Sequence, residues 1–243
     1  MADLILHPGD RVIMVSGASR GIGAAIARAL LSDGYRLSLA SRNPDTIDEL
    51  FGHAPPERLM VTYFDAQELK SAEQWVEGTI SRYGRIDGLV NNAGILRNVG
   101  FNSGDEKDLN DLWAINVKAP FWLTKLCLPH LRKAGNGRVI NIASTDGKRF
   151  RQGGSVGYTM SKHALIALTH AARIEGWDDG VRATALCPGA VDTDLLAGIQ
   201  NTAPVAERLQ PDTLAGLVSM VLGLPNTASV AELPVNTRLE SYI

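Results

Sequence analysis

The chain has 243 residues, of which 45% are hydrophobic, and a formal net charge of −2. That length suits one α/β domain with an ample core. The charge carries no electrostatic footprint of nucleic acid or of an anionic membrane surface. The two cysteines, Cys127 and Cys187, stand far apart in apolar settings. Free buried thiols in a reducing cytoplasm are expected, with no metal site. The first ten residues hold Asp3, His7 and Asp10 and do not read as a signal peptide, and no apolar run reaches membrane-spanning length.

In chain order, residues 12–15 form an apolar, β-branched run that predicts a buried strand. A tight turn follows, SGASRGIG over residues 16–23, and residues 24–31 then show helix formers with apolar positions at helical spacing. Strand, glycine turn and helix make the arrangement that holds a dinucleotide. Glycines let the backbone approach the pyrophosphate, and the helix N-terminus offers N–H groups to it. Gly17, Gly21 and Gly23 give G-x-x-x-G-x-G rather than the general G-x-G-x-x-G spacing.

Further strands are expected at 36–40, 59–64, 86–90, 138–143 and 181–186, with a short seventh at 232–235. Helices are expected at 67–83, 105–130 (with interruptions at Pro120 and Pro129), 156–177 and 211–222. No repeat or linker interrupts the alternation. The pattern predicts a doubly wound parallel sheet of about seven strands with helices on both faces, and ligands at the carboxyl ends of the strands.

The motifs fall at those ends. Asn91-Asn92-Ala93-Gly94 follows the fourth strand, Ser144 the fifth and Pro188-Gly189 the sixth. Tyr158 and Lys162 begin the long helix four residues apart, so they share one face. An ammonium beside a phenol stabilises phenolate and is expected to lower the tyrosine pKa, making Tyr158 a general acid near neutral pH.

Together SGASRGIG, Asp65, NNAG, Asn116 in AINV, Ser144 in NIAS, YTMSK and CPGAVDT resemble the short-chain dehydrogenase/reductase family from Arg11 to about Asp194. The resemblance implies a single-domain Rossmann-type fold and hydride transfer between a secondary alcohol and a ketone, or an aldehyde and a primary alcohol. Tyr158 would move the substrate-oxygen proton, Lys162 would tune it and hold the nicotinamide ribose, and Ser144 would stabilise the substrate oxygen. Asn116 would sit in a kinked helix and hold a water linking Lys162 to solvent. The cofactor would lie against Gly17, Ser19, Arg20, Gly21, Ile22 and Gly23 at the turn, Ser41 and Arg42 after the second strand, Asp65 at the adenine, and Asn92, Ala93 and Gly94. Pro188, Gly189, Val191 and Thr193 would meet its nicotinamide.

The chain also departs from the family pattern. Ser16 replaces the usual Thr, and Cys187 the common Asn. Ser144 and Tyr158 stand fourteen apart, one more than usual, which puts the extra residue in 148–157. Ser144 is chosen over Thr145 because Gly147 matches the family glycine three residues after the serine. The C-terminus lacks the frequent Gly-Gly ending. A non-catalytic NADP(H) sensor on the same fold is the alternative function, although all four catalytic residue types are present. A sugar epimerase of the extended family would be longer, with other glycine spacing.

No acid follows the second strand until Asp45, while Ser41 and Arg42 stand at its end. NADP(H) is therefore expected over NAD(H), with Arg42 and Arg20 taking the 2′-phosphate or, for Arg20, stacking on adenine. Lys148-Arg149-Phe150-Arg151 would bind a substrate anion or face solvent. Residues 194–207, with Leu195, Leu196 and Ile199, would form a substrate lid or a fixed surface helix. The family resemblance further implies a homotetramer or homodimer built on 111–130 and 156–177, where Trp113, Phe121 and Trp122 would serve the interface or the core.

Overall fold

The computed structural model describes residues 5–196 and 203–239. Seven strands form one sheet: β1 (Val12–Ser16), β2 (Arg36–Ser41), β3 (Leu59–Tyr63), β4 (Gly88–Asn91), β5 (Arg138–Ile142), β6 (Arg182–Pro188) and β7 (Glu232–Val235). Their spatial order is β3-β2-β1-β4-β5-β6-β7, and every pairing is parallel. The helices are α1 (Gly21–Asp33), α2 (Pro44–Phe51), α3 (Leu69–Tyr83), α4 (Glu106–Trp113), α5 (Ala119–Ala134), α6 (Val156–Glu175) and α7 (Pro211–Gly223).

Both faces of the sheet are covered, so its central strands carry apolar residues on both sides. Along β1, Ile13 and Val15 join the core under α1 and α7, while Met14 points to the opposite core under α3 and α5. On that second side Trp75 is fully buried, packs tilted against Phe64 with ring centroids 5.2 Å apart, and donates its indole N–H to Ser38 Oγ at 2.8 Å. Cys127 and Cys187 are buried free thiols. Burial pushes both thiols up, Cys187 to about 11, which leaves them protonated at neutral pH.

The expected alternation is present, with two differences. Helix α2 follows β2 directly, where no element was expected. Proline opens it, and Ile47 and Phe51, four apart, bury one face. The expected 105–130 helix is also divided. A π-helical turn, Ala114–Lys118, separates α4 from α5. The break precedes Pro120, whose missing N–H leaves a carbonyl of the preceding turn without its helical donor. Pro129 lies within α5 and does not end it.

After β1 the chain builds outward to β2 and β3, then returns to lay β4 on the other side of β1. The carboxyl ends of β1 and β4 therefore diverge, and a crevice opens between them. No helix among the described residues is long and apolar enough to cross a membrane.

Candidate active site

The crevice is closed at its floor by a seam between the glycine turn and the NNAG loop. Ser16 Oγ accepts hydrogen bonds from the Asn92 and Ala93 backbone N–H groups, both at 3.0 Å. Asn92 Nδ2 donates to the carbonyls of Ser16 at 2.9 Å and Gly17 at 3.0 Å. Gly23 lies under the turn. A Cβ there would collide with the Gly17 carbonyl and stand 2.5 Å from Asn92 Nδ2. The third glycine thus lets helix α1 pack against the turn.

Above this seam runs a cleft of about 400 Å³. Every cofactor residue expected from the sequence lines it except Gly23, which packs beneath it. Of the four expected catalytic residues, Ser144, Tyr158 and Lys162 line the cleft, and Asn116 stands behind its wall.

Helix α6 starts at a built cap. Ser155 Oγ accepts from Tyr158 N at 3.2 Å and from Val99 N at 3.1 Å, which ties the helix start to the loop after β4. Tyr158 and Lys162 sit one turn apart, both buried, with Lys162 Nζ 5.6 Å from the phenol ring centroid. Lys162 Nζ donates to the Ile142 carbonyl at 2.8 Å, and the Ser144 side chain hydrogen-bonds the Tyr158 phenol. Ser144 Oγ also accepts from Asp146 N at 3.1 Å, so its own O–H remains the donor. A Cβ on Gly147 would stand 2.8 Å from the Lys162 carbonyl, so the glycine allows this loop to lie against α6.

The expected lowering of the tyrosine pKa is not found. Burial pushes the Tyr158 phenol up, the Asp146 carboxylate adds to the rise, and the Ser144 hydrogen bond only offsets part of it. Burial also pushes the Lys162 ammonium down, to about 8. The charge beside the phenol is legible in the sequence, while the desolvation of both groups appears only in the folded structure.

Asn116 lies in the π-helical turn and is almost wholly buried. Its Oδ1 accepts from Ile95 N and its Nδ2 donates to Ile95 O, both at 2.9 Å, with a further bond to Ser161 Oγ at 3.1 Å. The side chain thus pairs with the NNAG loop as a strand would. A polar network the sequence did not reveal supports it from below. Asn91 Nδ2 donates to Asn141 Oδ1 at 2.8 Å, and Asn141 Nδ2 to Thr169 Oγ1 at 2.8 Å, linking β4, β5 and α6.

At the opposite end, Ser41, Arg42 and Asn43 form one wall. Ser41 Oγ donates to the Asn43 carbonyl at 2.7 Å and holds that turn. Arg42 is exposed, and Asp65 Oδ1 accepts from Gln67 N at 2.9 Å at the entry to α3. Arg20, expected at the adenine ribose, pairs with Asp194 at 3.0 Å across the cleft mouth. Both partners are well exposed, so the pair contributes little stability.

The basic run divides. Lys148 turns away to pair with Glu232 on β7, whose other oxygen meets His170 Nε2 at 2.7 Å. Arg149 and Arg151 line the cleft. Of the expected lid, Asp194, Leu195, Leu196 and Ala203 line the cleft as well, and residues 197–202, with Ile199, lie outside the described residues. Trp113 and Phe121 are exposed rather than in the core, and Trp122 is half-buried. No cluster of three or more His, Cys, Asp or Glu suited to a metal occurs among the described residues.

Residues 11–204 match the short chain dehydrogenase family, and the chain belongs to it. An agropine synthesis reductase of Rhizobium rhizogenes is 42% identical over 231 residues, covering 95% of this chain and 53% of that protein. The chain thus spans about half the length of that relative. An alcohol dehydrogenase from Thermococcus sibiricus, complexed with 5-hydroxy-NADP, superposes with a TM-score of 0.86 at 30% identity, covering 96% of this chain and 99% of the other. An actinorhodin polyketide ketoreductase with NADPH gives a TM-score of 0.84 at 28% identity, covering 96% and 98%.

A nicotinamide dinucleotide fits the cleft: the glycine turn leaves room for a pyrophosphate at the N-terminus of α1, and a Cβ at Gly23 would disturb that turn. Gly23→Ala should therefore weaken NADPH binding at least tenfold while leaving the far-UV circular dichroism of the sheet and helices intact. Calorimetric titration with NADPH checks this, and unchanged affinity would remove the seam from cofactor binding.

Proposed function

We propose that this chain is an oxidoreductase that prefers NADP(H) and interconverts a ketone and a secondary alcohol, or an aldehyde and a primary alcohol, with Tyr158 as the acid and base. The observation that carries the reading is the convergence of Ser144, Tyr158 and Lys162 at one end of a single cleft, with Ser41 and Arg42 at its other end. The reductase name of the 42% identical relative supports it, as do the NADP-type molecules in the two solved relatives.

When bound, the nicotinamide supplies or accepts the hydride. The protein's part is proton traffic and orientation. Ser144 accepts from Asp146 N, and its one O–H, which bonds the Tyr158 phenol in this structure, turns to the substrate oxygen when that oxygen stands between the two side chains. Tyr158 is protonated across the neutral range, because burial holds its phenol up, so it gives the proton from Oη to that oxygen in reduction. Lys162, beside the ring, stabilises the phenolate left behind. Asn116 keeps the NNAG loop in place through Ile95, which makes it a positioning residue.

Tyr158→Phe keeps the ring and removes the proton. Its kcat should fall at least a thousandfold while the Kd for NADPH stays within about threefold of wild type. Turnover near the wild-type rate would reject the assignment.

The lowered Lys162 pKa fixes the pH dependence. The ammonium is charged below about 8 and loses its charge above it, while Tyr158 stays protonated. The kcat for reduction should hold from pH 6 to about 7.5 and then fall, toward tenfold per pH unit. A profile flat to pH 9.5 would remove the Lys162 charge from the mechanism.

Cofactor choice rests on the end of β2. No carboxylate there repels a 2′-phosphate, and Arg42 can meet it with charge-assisted bonds. Wild type should favour NADPH over NADH, and Arg42→Ala should cost about 1.5–3 kcal/mol in kcat/KM with NADPH alone. Equal losses with both cofactors, or a wild-type preference for NADH, would overturn the NADP reading.

A further inference from the structure

The loop between the Ser144 turn and helix α6, residues 148–154, brings Arg149 and Arg151 into the wall of the cleft. Backbone contacts hold the chain on either side of it. Before it, Ala143 N donates to the Leu186 carbonyl at 2.7 Å and Gly147 N to the Ser144 carbonyl at 2.9 Å, with Gly147 lying against α6. After it, the Ser155 cap opens α6. Arg149 and Arg151 both meet Asp146, which belongs to the Ser144 turn itself. Lys148 instead reaches out of the segment, to Glu232 on β7.

Glu232 joins three elements. Its backbone pairs in register with Ala185 of β6. One carboxylate oxygen meets Lys148, and the other meets His170 Nε2 on α6 at 2.7 Å. A carboxylate only accepts, so that ring nitrogen carries a proton. The Lys148 bond holds the Glu232 carboxyl below its ordinary value, and the His170 bond adds to the effect. The side chains of Lys148, Glu232 and His170 are 30%, 22% and 38% exposed. An isolated pair in open solvent contributes little, but here one partly shielded carboxylate holds two donors at once. None of the three is among the described residues that line the cleft.

We propose that Glu232 is a positioning residue for the substrate: through Lys148 it holds the 148–154 loop in place, and so sets how tightly a substrate binds and not how fast it reacts. This rests on the oxidoreductase reading above. The division between binding and rate follows from the separate anchors. Ser144 and Tyr158 are fixed by β5, by Gly147 against α6 and by α6 itself, and none of these contacts passes through Lys148. Without the ion pair the loop is freer, and a substrate has to order it on binding. Affinity then falls while the reacting groups stay where they are.

The test compares Glu232→Gln, Lys148→Met and the double variant, with Lys148→Arg as the conservative control. The substrate is the best-reduced member of a panel of small ketones and aldehydes, with NADPH in excess. KM should rise at least fivefold in both single variants while kcat stays within about twofold of wild type, and Lys148→Arg should keep both constants within about twofold. The double variant should match the worse single one, because the same pair is lost either way. The Kd for NADPH, read by calorimetry, should stay within about twofold. A larger rise would put the effect in β7, since Asn236 just after that strand crowds Gly189 at the cofactor turn, and would overturn the proposal. A fall in kcat, an unchanged KM or additive losses in the double variant would overturn it too. Hydrogen exchange of the 148–154 amides needs no turnover. It should quicken at least fivefold in Glu232→Gln and Lys148→Met but not in Lys148→Arg. If no carbonyl compound is reduced, the oxidoreductase reading falls, and exchange still decides whether the pair holds the loop. Equal exchange in all variants refutes it.

Discussion

Everything at this site hangs on the joint between β1 and β4. These strands are neighbours in the sheet although more than seventy residues separate them, and their ends must part for a ligand to enter. Ser16 Oγ and the Asn92 amide close the gap at its base, satisfying backbone groups that a diverging pair of strands would leave unpaired. The seam fixes the glycine turn on one side and the NNAG loop on the other. The NNAG loop is in turn gripped by Asn116, and Asn116 reaches it because the helix between Trp113 and Ala119 is unwound by a π-helical turn. A backbone irregularity is thus spent on aiming one amide.

Much of this was legible in the chain. Seven strands were anticipated because, in a sheet covered on both faces, they read as short apolar runs between helices. That the residues expected at a cofactor share one cleft was legible for a related reason: once the strands are parallel, whatever follows them shares one end of the sheet. Gly23 shows the limit of that logic, since it follows β1 and yet packs beneath the cleft. Helix α2 was missed although Ile47 and Phe51 carried the spacing, because eight residues give little periodicity to read. The π-helical turn left no mark in the local pattern, where the nearest proline suggested a break in a slightly different place, but the family resemblance implied a kink at Asn116, and the turn contains that residue.

What the sequence could not show was pairing across long separations and the effect of burial. Arg20 meets Asp194 across 174 residues, and Lys148 meets Glu232 across 84, so neither partner was foreseeable from local pattern. The Tyr158–Lys162 pair was located correctly on one helix face, but its electrostatics were inverted. A charge neighbouring a phenol acts in one direction and desolvation of both acts in the other, and here desolvation is the larger. The consequence for the proposed chemistry is a tyrosine that holds its proton firmly, which suits a donor in reduction.

The all-parallel order of the sheet also governs how the molecule comes to exist. No two neighbouring strands are joined by a hairpin, so no pairing can form from adjacent sequence alone. Strand β1 is central and fully buried in the finished sheet, yet its second edge waits for β4, whose first paired residue is Gly88. At ribosomal rates of about 5–20 residues per second, that interval lasts roughly 4–15 s. Throughout it, Ile13, Met14 and Val15 present an open, apolar strand edge, which is a template for pairing with another nascent chain. The stretch that later frames the ligand cleft is therefore the stretch that most needs shelter during synthesis.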